Sequence, residues 1–145
     1  MKRLMAAIFI MMSVTGAKAG PDSDLLAKAG LLGAWAADCS QPPSSKNPYQ
    51  VFAPSTAGYP TRVLNMDSSI DRTSEIRNVR LLQNNQIRFL LKGSGQFDDR
   101  NIIVVVIGNR HRSLDAADVN GKKYVTNGKM VGASSGDTPW FQKCR

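Results

Sequence analysis

Acid–base catalysis needs a titratable side chain tuned near the working pH, and this chain holds one histidine, His111, and one glutamate, Glu75. His111 stands between Arg110 and Arg112. Neighbouring cations disfavour the charged imidazole and repel a metal ion, so an exposed strand position is expected for it. A triad of His111, Asp115 and a serine is formally available, but no strand-to-helix setting of the kind that exposes a nucleophilic serine accompanies it. Asp98-Asp99 is the sole adjacent acidic pair. Neighbours on a strand point to opposite faces, and in a loop they are solvated, so the pair does not supply a glycosidase's two facing carboxylates. Gly93-Ser94-Gly95 lacks the lysine and helix of a phosphate loop and reads as a turn. One histidine and two cysteines make no metal cluster. No catalytic residue, metal or cofactor is therefore expected.

The remaining chemical signal is cationic: 19 Lys+Arg against 11 Asp+Glu, a net charge of +8. Arg77, Arg80 and Arg88 form one group, and Arg110, Arg112, Lys122 and Lys123 another. Such groups are either the wet face of a sheet, with arginine stems lying on apolar neighbours, or a surface for anionic envelope material or an acidic protein. Aromatic residues make up only 7%, too few to stack bases, so nucleic acid is not expected as a partner. The candidate ligand contacts are Trp35 and Phe89 for an apolar body, and Arg77 and Arg88 for its charged part.

Positioning these groups begins with compartment. Residues 1–19 read as a secretory signal peptide: Lys2 and Arg3, then the apolar run Leu4 to Met12, then Ala17-Lys18-Ala19 as a small-x-small cleavage site. That run is about half of the roughly 20 residues a membrane span needs, so no transmembrane segment is expected once the signal is removed. Losing Lys2, Arg3 and Lys18 takes the net charge from +8 to +5. Residues 20–145 then form one domain, periplasmic or secreted, and expected to be a monomer. Cys39 and Cys144, 105 positions apart, fit neither a Cys-x-x-Cys redox pair nor zinc-ligand spacing. In an oxidising compartment they are expected to pair as a structural staple.

The expected fold class is all-β: an antiparallel meander forming a small barrel or sandwich, with a short N-terminal helical turn and one disulfide. The helical turn is expected to end at Gly30. Five prolines between Ser40 and Pro60 make that stretch loop, with at most edge pairing at Gln50 to Ala53. Candidate strands follow at Thr61–Met66, Ser74–Leu82, Ile87–Lys92, Ile102–Ile107, Arg110–Ala116, Lys122–Thr126 and Lys129–Val131. Asn120-Gly121 and Asn127-Gly128 each carry the signature of a two-residue type I′ hairpin turn. Ile102–Ile107 is apolar throughout, so both its faces are expected to be covered and the strand to be central.

Gly33-Ala34-Trp35, ahead of an all-β chain, resembles the Gly-x-Trp start of the lipocalin-like (calycin) barrels. The resemblance implies a barrel with Trp35 across its closed end and a Cys39–Cys144 disulfide tying the tail to the body. That family has eight strands, where six or seven are read here. The chain is also similar to uncharacterised small secreted bacterial proteins that begin Gly-x-Trp…Cys and end Thr-Pro-Trp…Cys, here Gly33, Trp35, Cys39 and Thr138-Pro139-Trp140…Cys144. No activity follows from that likeness. Each Trp stands four residues before a Cys, so both rings are expected in the core, against the bridge. The function expected is a non-catalytic exported domain that binds a small apolar ligand or an envelope component. The alternative is a protein or anionic-surface binder, inhibitor-like, using a basic sheet face. A weak hydrolase using His111 is the remote reading.

Overall fold

The computed structural model describes residues 20–55, 58–67, 72–95, 97–132 and 135–145, and the expected signal peptide lies outside them. One helix, α1 (Pro21–Lys28), precedes ten strands. These are β1 (Gly33–Ala36), β2 (Tyr49–Pro54), β3 (Pro60–Asn65), β4 (Arg72–Leu81), β5 (Gln86–Leu91), β6 (Arg100–Ile107), β7 (Arg110–Asp118), β8 (Lys123–Thr126), β9 (Lys129–Met130) and β10 (Phe141–Lys143). Strands β1 to β7 pair in chain order, all antiparallel. β10 then inserts between β7 and β1, opposing Phe141 to His111 and Lys143 to Trp35. Eight strands thus close a barrel, and the β8–β9 hairpin extends from the C-terminal half of β7. Among the described residues, no helix is long and apolar enough to cross a membrane.

Local chemistry explains most of these elements. Pro21 opens α1, where its missing N–H is no loss. Gly30, at φ +74, ends the helix in a left-handed cap: its N–H donates to Ala27 O, and Leu31 N–H to Leu26 O. Leu26 and Leu31, which flank that cap, are both fully buried. The Asp22 carboxylate accepts from the backbone N–H groups of Asn78 and Val79, each at 3.0 Å. Those groups sit at a bulge in β4 where Asn78 takes φ 56, so α1 is fastened to the wall at a point that has lost its ladder partner. The helix and the β2–β3, β4–β5 and β6–β7 turns share one end, and the β5–β6 loop lies at the other.

Aromatic rings fill the interior. Trp35 is fully buried and its Nε1 donates to Leu31 O at 2.8 Å. Lys143 Nζ lies 5.2 Å from the Trp35 ring centre and donates to Gly30 O. Gly33 runs at φ +124, and a Cβ there would meet the Lys143 side chain at 2.9 Å. Phe52 stands edge-on to Phe89 at 6.3 Å. His111, expected to be exposed, is instead 1% exposed and boxed by rings. Its ring centre lies 4.7 Å from Trp35, 5.8 Å from Phe52 and 5.4 Å from Phe141, which it stacks upon. Its parity on β7, opposite Phe141, overrides the pull of its arginine neighbours towards water.

The expected all-β class holds, and barrel replaces sandwich because β10 removes both free edges. β1 and β10 are not among the expected strands, being too short to show alternation. β2, expected as loop with at most edge pairing at Gln50 to Ala53, is a six-residue strand paired on both sides, its proline confined to its end. Asn84 and Asn85 (φ 57 and 58) and Asn127-Gly128 (φ 51 and 73) make tight turns with both residues left-handed. Asn120-Gly121 does not: only Gly121 (φ 89) is left-handed, in a longer turn closed by Asp118 N–H to Lys122 O and Gly121 N–H to Asp118 O. β6 is central as expected, but its outer face is only partly covered, with Ile107 55% exposed. Trp140 is not core either: half-buried on the outside, it sits between the guanidinium groups of Arg110 and Arg112, at 4.8 and 4.9 Å.

Cys39 and Cys144 are bonded, with Cα atoms 5.4 Å apart. Replacing both by serine should destabilise the oxidised protein by about 4–5 kcal/mol, the chain-entropy value for a loop of this length. Denaturation midpoints with and without reductant check this, because wild type and variant should converge once the bridge is reduced.

Candidate functional site

β3 reads Pro60-Thr-Arg-Val-Leu-Asn65, and the valine looks like its inward residue. Pairing with β2 decides otherwise: Phe52 faces Arg62 across the ladder and Gln50 faces Leu64. Phe52 is core, so Arg62 points inward and Val63 outward. β4 continues the same face, with Ser74 opposite Arg62 and Arg72 opposite Leu64. On β6, Arg100 lies opposite Leu91, itself a core residue opposite Ile76. Three strands therefore bring three arginines to the barrel end away from α1. They line a cleft of about 100 Å³ together with Leu64, Ser74 and Leu91.

The β5–β6 loop forms the lip of this cleft. The Lys92 ammonium pairs with the Asp99 carboxylate, whose other oxygen accepts from Gly93 N–H at 2.9 Å. These two bonds, the lysine's first, hold the Asp99 carboxyl below its ordinary range. Gly93 is required at that position because a Cβ would fall 1.9 Å from Phe97 O. Phe97 in turn lies under the Arg72 guanidinium at 4.0 Å, and Tyr124 from β8 lies under that of Arg100 at 4.1 Å. A guanidinium stacked on a ring keeps its in-plane N–H donors free for a ligand.

Arg62 is the deepest of the three. Its Nε is enclosed and has no hydrogen-bond partner, and among the described residues no carboxylate pairs with Arg62, Arg72 or Arg100. Burial, and then the charge of Arg100, lowers the Arg62 guanidinium to about 10, which still leaves it a cation at neutral pH. The one carboxylate among the described lining residues is that of exposed Asp98. A charge held in this way is strongly biased towards an anion.

The four residues expected to contact a ligand are not brought together. Trp35 and Phe89 are core residues with no surface to offer. Arg77 is on the outer face, paired with Glu75 at 2.6 Å and stacked over Tyr59 at 4.3 Å. Arg88 is exposed directly opposite Arg80. The period of two puts the rings inside and these cations outside. Arg62, Arg72 and Arg100 were missed because only strand register shows which way they face. His111 forms no triad among the described residues: neither ring nitrogen has a partner there, and Asp115 Oδ1 instead accepts from Asn127 N–H at 3.4 Å. Among the described residues, no three His, Cys, Asp or Glu side chains gather as a metal ion needs.

Burial, and then the charge of Arg62, holds the His111 imidazole down to about 4 against an ordinary 6.5. The unfolded chain takes up that proton near pH 6.5 and the folded chain only near pH 4, so stability falls on acidification through this window. The loss should reach about 3 kcal/mol. Melting temperatures from pH 7 to pH 4 should show this slope in wild type and a flatter one in His111→Phe. Arg62→Met removes an enclosed charge that has no carboxylate partner among the described residues and should stabilise the fold by about 1–3 kcal/mol. A lower urea midpoint for Arg62→Met would instead mean that the charge is satisfied by the protein itself.

No protein-family model, curated protein or solved structure matches the chain, so the functional reading rests on the chemistry of this mouth.

Proposed function

We propose that the chain is an exported, non-catalytic β-barrel that binds the anionic group of a small ligand or envelope component at its arginine-lined mouth. One observation carries this reading: Arg62 is inward-facing and without a carboxylate partner among the described residues, beside Arg72 and Arg100. Folding leaves this concentration of charge in place, and a bound anion relieves it. The disulfide and the signal-like segment 1–19 support a periplasmic or secreted location.

An apolar ligand carried inside the barrel is supported less well. Trp35, Phe52, Phe89, His111 and Phe141 occupy the interior, and the mouth cleft of about 100 Å³ is small beside the roughly 300–1,000 Å³ of a drug-sized site. The basic outer face gives the second reading. Arg80 and Arg88 oppose each other across β4–β5, and like charges so placed repel unless an anion bridges them.

Titrating small anions, phosphate and acetate, into isotopically labelled protein and following backbone amide shifts separates the two. Shifts should cluster at β3, β4 and the 92–99 loop and weaken with added salt. They should vanish in Arg100→Gln and persist in Arg88→Gln. Shifts that vanish in Arg88→Gln and persist in Arg100→Gln would move the site to the outer face.

A further inference from the structure

The cleft contains more positive charge than a carboxylate can neutralise. Three guanidinium groups line it against one exposed carboxylate, Asp98, among the described residues. A carboxylate brings one negative charge and two oxygens, enough for one bidentate arginine. A phosphomonoester brings between one and a half and two negative charges and three terminal oxygens. That matches three separate planar donor groups, two of them held on rings. The half-buried hydroxyl of Ser74, opposite Arg62 on β4, adds a donor at the same level.

The depth of the cleft fixes the direction of entry. Phe52 lies directly opposite Arg62, and Phe89 and His111 pack against Phe52 behind it. The room above this plug suits a headgroup, so anything attached to the headgroup must leave through the mouth. Half-buried Leu64 and exposed Phe97 flank that exit.

Resting on the mouth reading above, we infer that the group bound is a phosphomonoester, taken head-first, with the rest of its molecule outside the barrel. The selectivity then lies in the head, and the body adds only what it gains against Leu64 and Phe97. The same head occurs on free phosphate and on the phosphorylated end of an amphiphile or glycan, so both belong in the test.

Calorimetry at pH 7.5 with octyl phosphate, octyl methyl phosphate, octanoate and inorganic phosphate tests the inference. Octyl phosphate should bind about tenfold or more tighter than the singly charged diester and octanoate, the worth of roughly one further charge-assisted contact. Arg62→Gln and Arg100→Gln should each weaken it by about tenfold or more. Both are expected to fold, since each removes a cation that has no carboxylate partner among the described residues, and circular dichroism with a melting curve confirms this before titration. Inorganic phosphate within a few-fold of octyl phosphate marks free phosphate as a sufficient source, and much weaker binding marks a presented phosphate. Both outcomes keep the phosphate inference. Octanoate binding as tightly as octyl phosphate, with loss in Arg62→Gln, overturns the phosphate class and leaves the anion site standing. No anion bound, or binding indifferent to both variants, overturns the anion site itself. Intermolecular NOEs from the octyl chain to Phe97 or Leu64 support head-first entry, and NOEs to Trp35 or Phe89 overturn it.

Discussion

The barrel depends on β10, a strand of three residues. Without it, β1 and the N-terminal part of β7 are open edges of the meander, each with unpaired backbone groups. With it, both edges are satisfied at once. A short ladder is weak alone, and the chain reinforces it from both sides. Cys144 N–H donates to Ala34 O at 2.8 Å, and the Cys144 sulfur is bonded to Cys39 just beyond β1. Lys143 lies over Trp35 and reaches the carbonyl of Gly30 at the helix cap. Helix end, first strand and last strand are thus joined in one place, and this junction sets the circumference of everything between.

An eight-stranded barrel of that circumference encloses space that side chains can just fill. Rings from β1, β2, β5, β7 and β10 fill it, and one of them is an imidazole whose two nitrogens find no hydrogen-bond partner among the described residues. Burying it leaves polar atoms unmet, and the neighbouring cation adds to the bias against protonation. The plug also makes the opposite end shallow. On the proposed reading, such a mouth would recognise a chemical group rather than enclose a whole molecule, and the group favoured would be set by charge.

The lip shows how a loop can be as constrained as a strand. Gly93 passes against the Phe97 carbonyl with no room for a side chain, and Asp99 ties the two ends of the loop through Lys92 and Gly93. The adjacent acids Asp98 and Asp99 therefore have separate roles: one is the clasp of the loop, the other lies at the cleft edge. Arg72 and Arg100 are each stacked on an aromatic face and have no carboxylate partner among the described residues, an arrangement that orients a guanidinium without neutralising it.

Much of this architecture was legible from residue order alone. Short β-rich runs marked β3 to β7, Asn127-Gly128 marked a turn that needs positive φ, and the two widely spaced cysteines marked the staple. Each of these is a local property, because covalent geometry and the period of two act within a few residues. Strands β1 and β10 escaped because three or four residues hold no period, and each is defined by its partners, β1 between β2 and β10 and β10 between β1 and β7. The inward turn of Arg62 and the burial of His111 escaped for a related reason. Which face of a strand meets the core is decided by register with its neighbours, through Phe52 for Arg62 and Phe141 for His111. The residues by themselves determined a disulfide-closed sheet protein with a positive charge. Only tertiary pairing decided that three of those charges meet in one mouth, because a one-residue change of register would have turned them out to water.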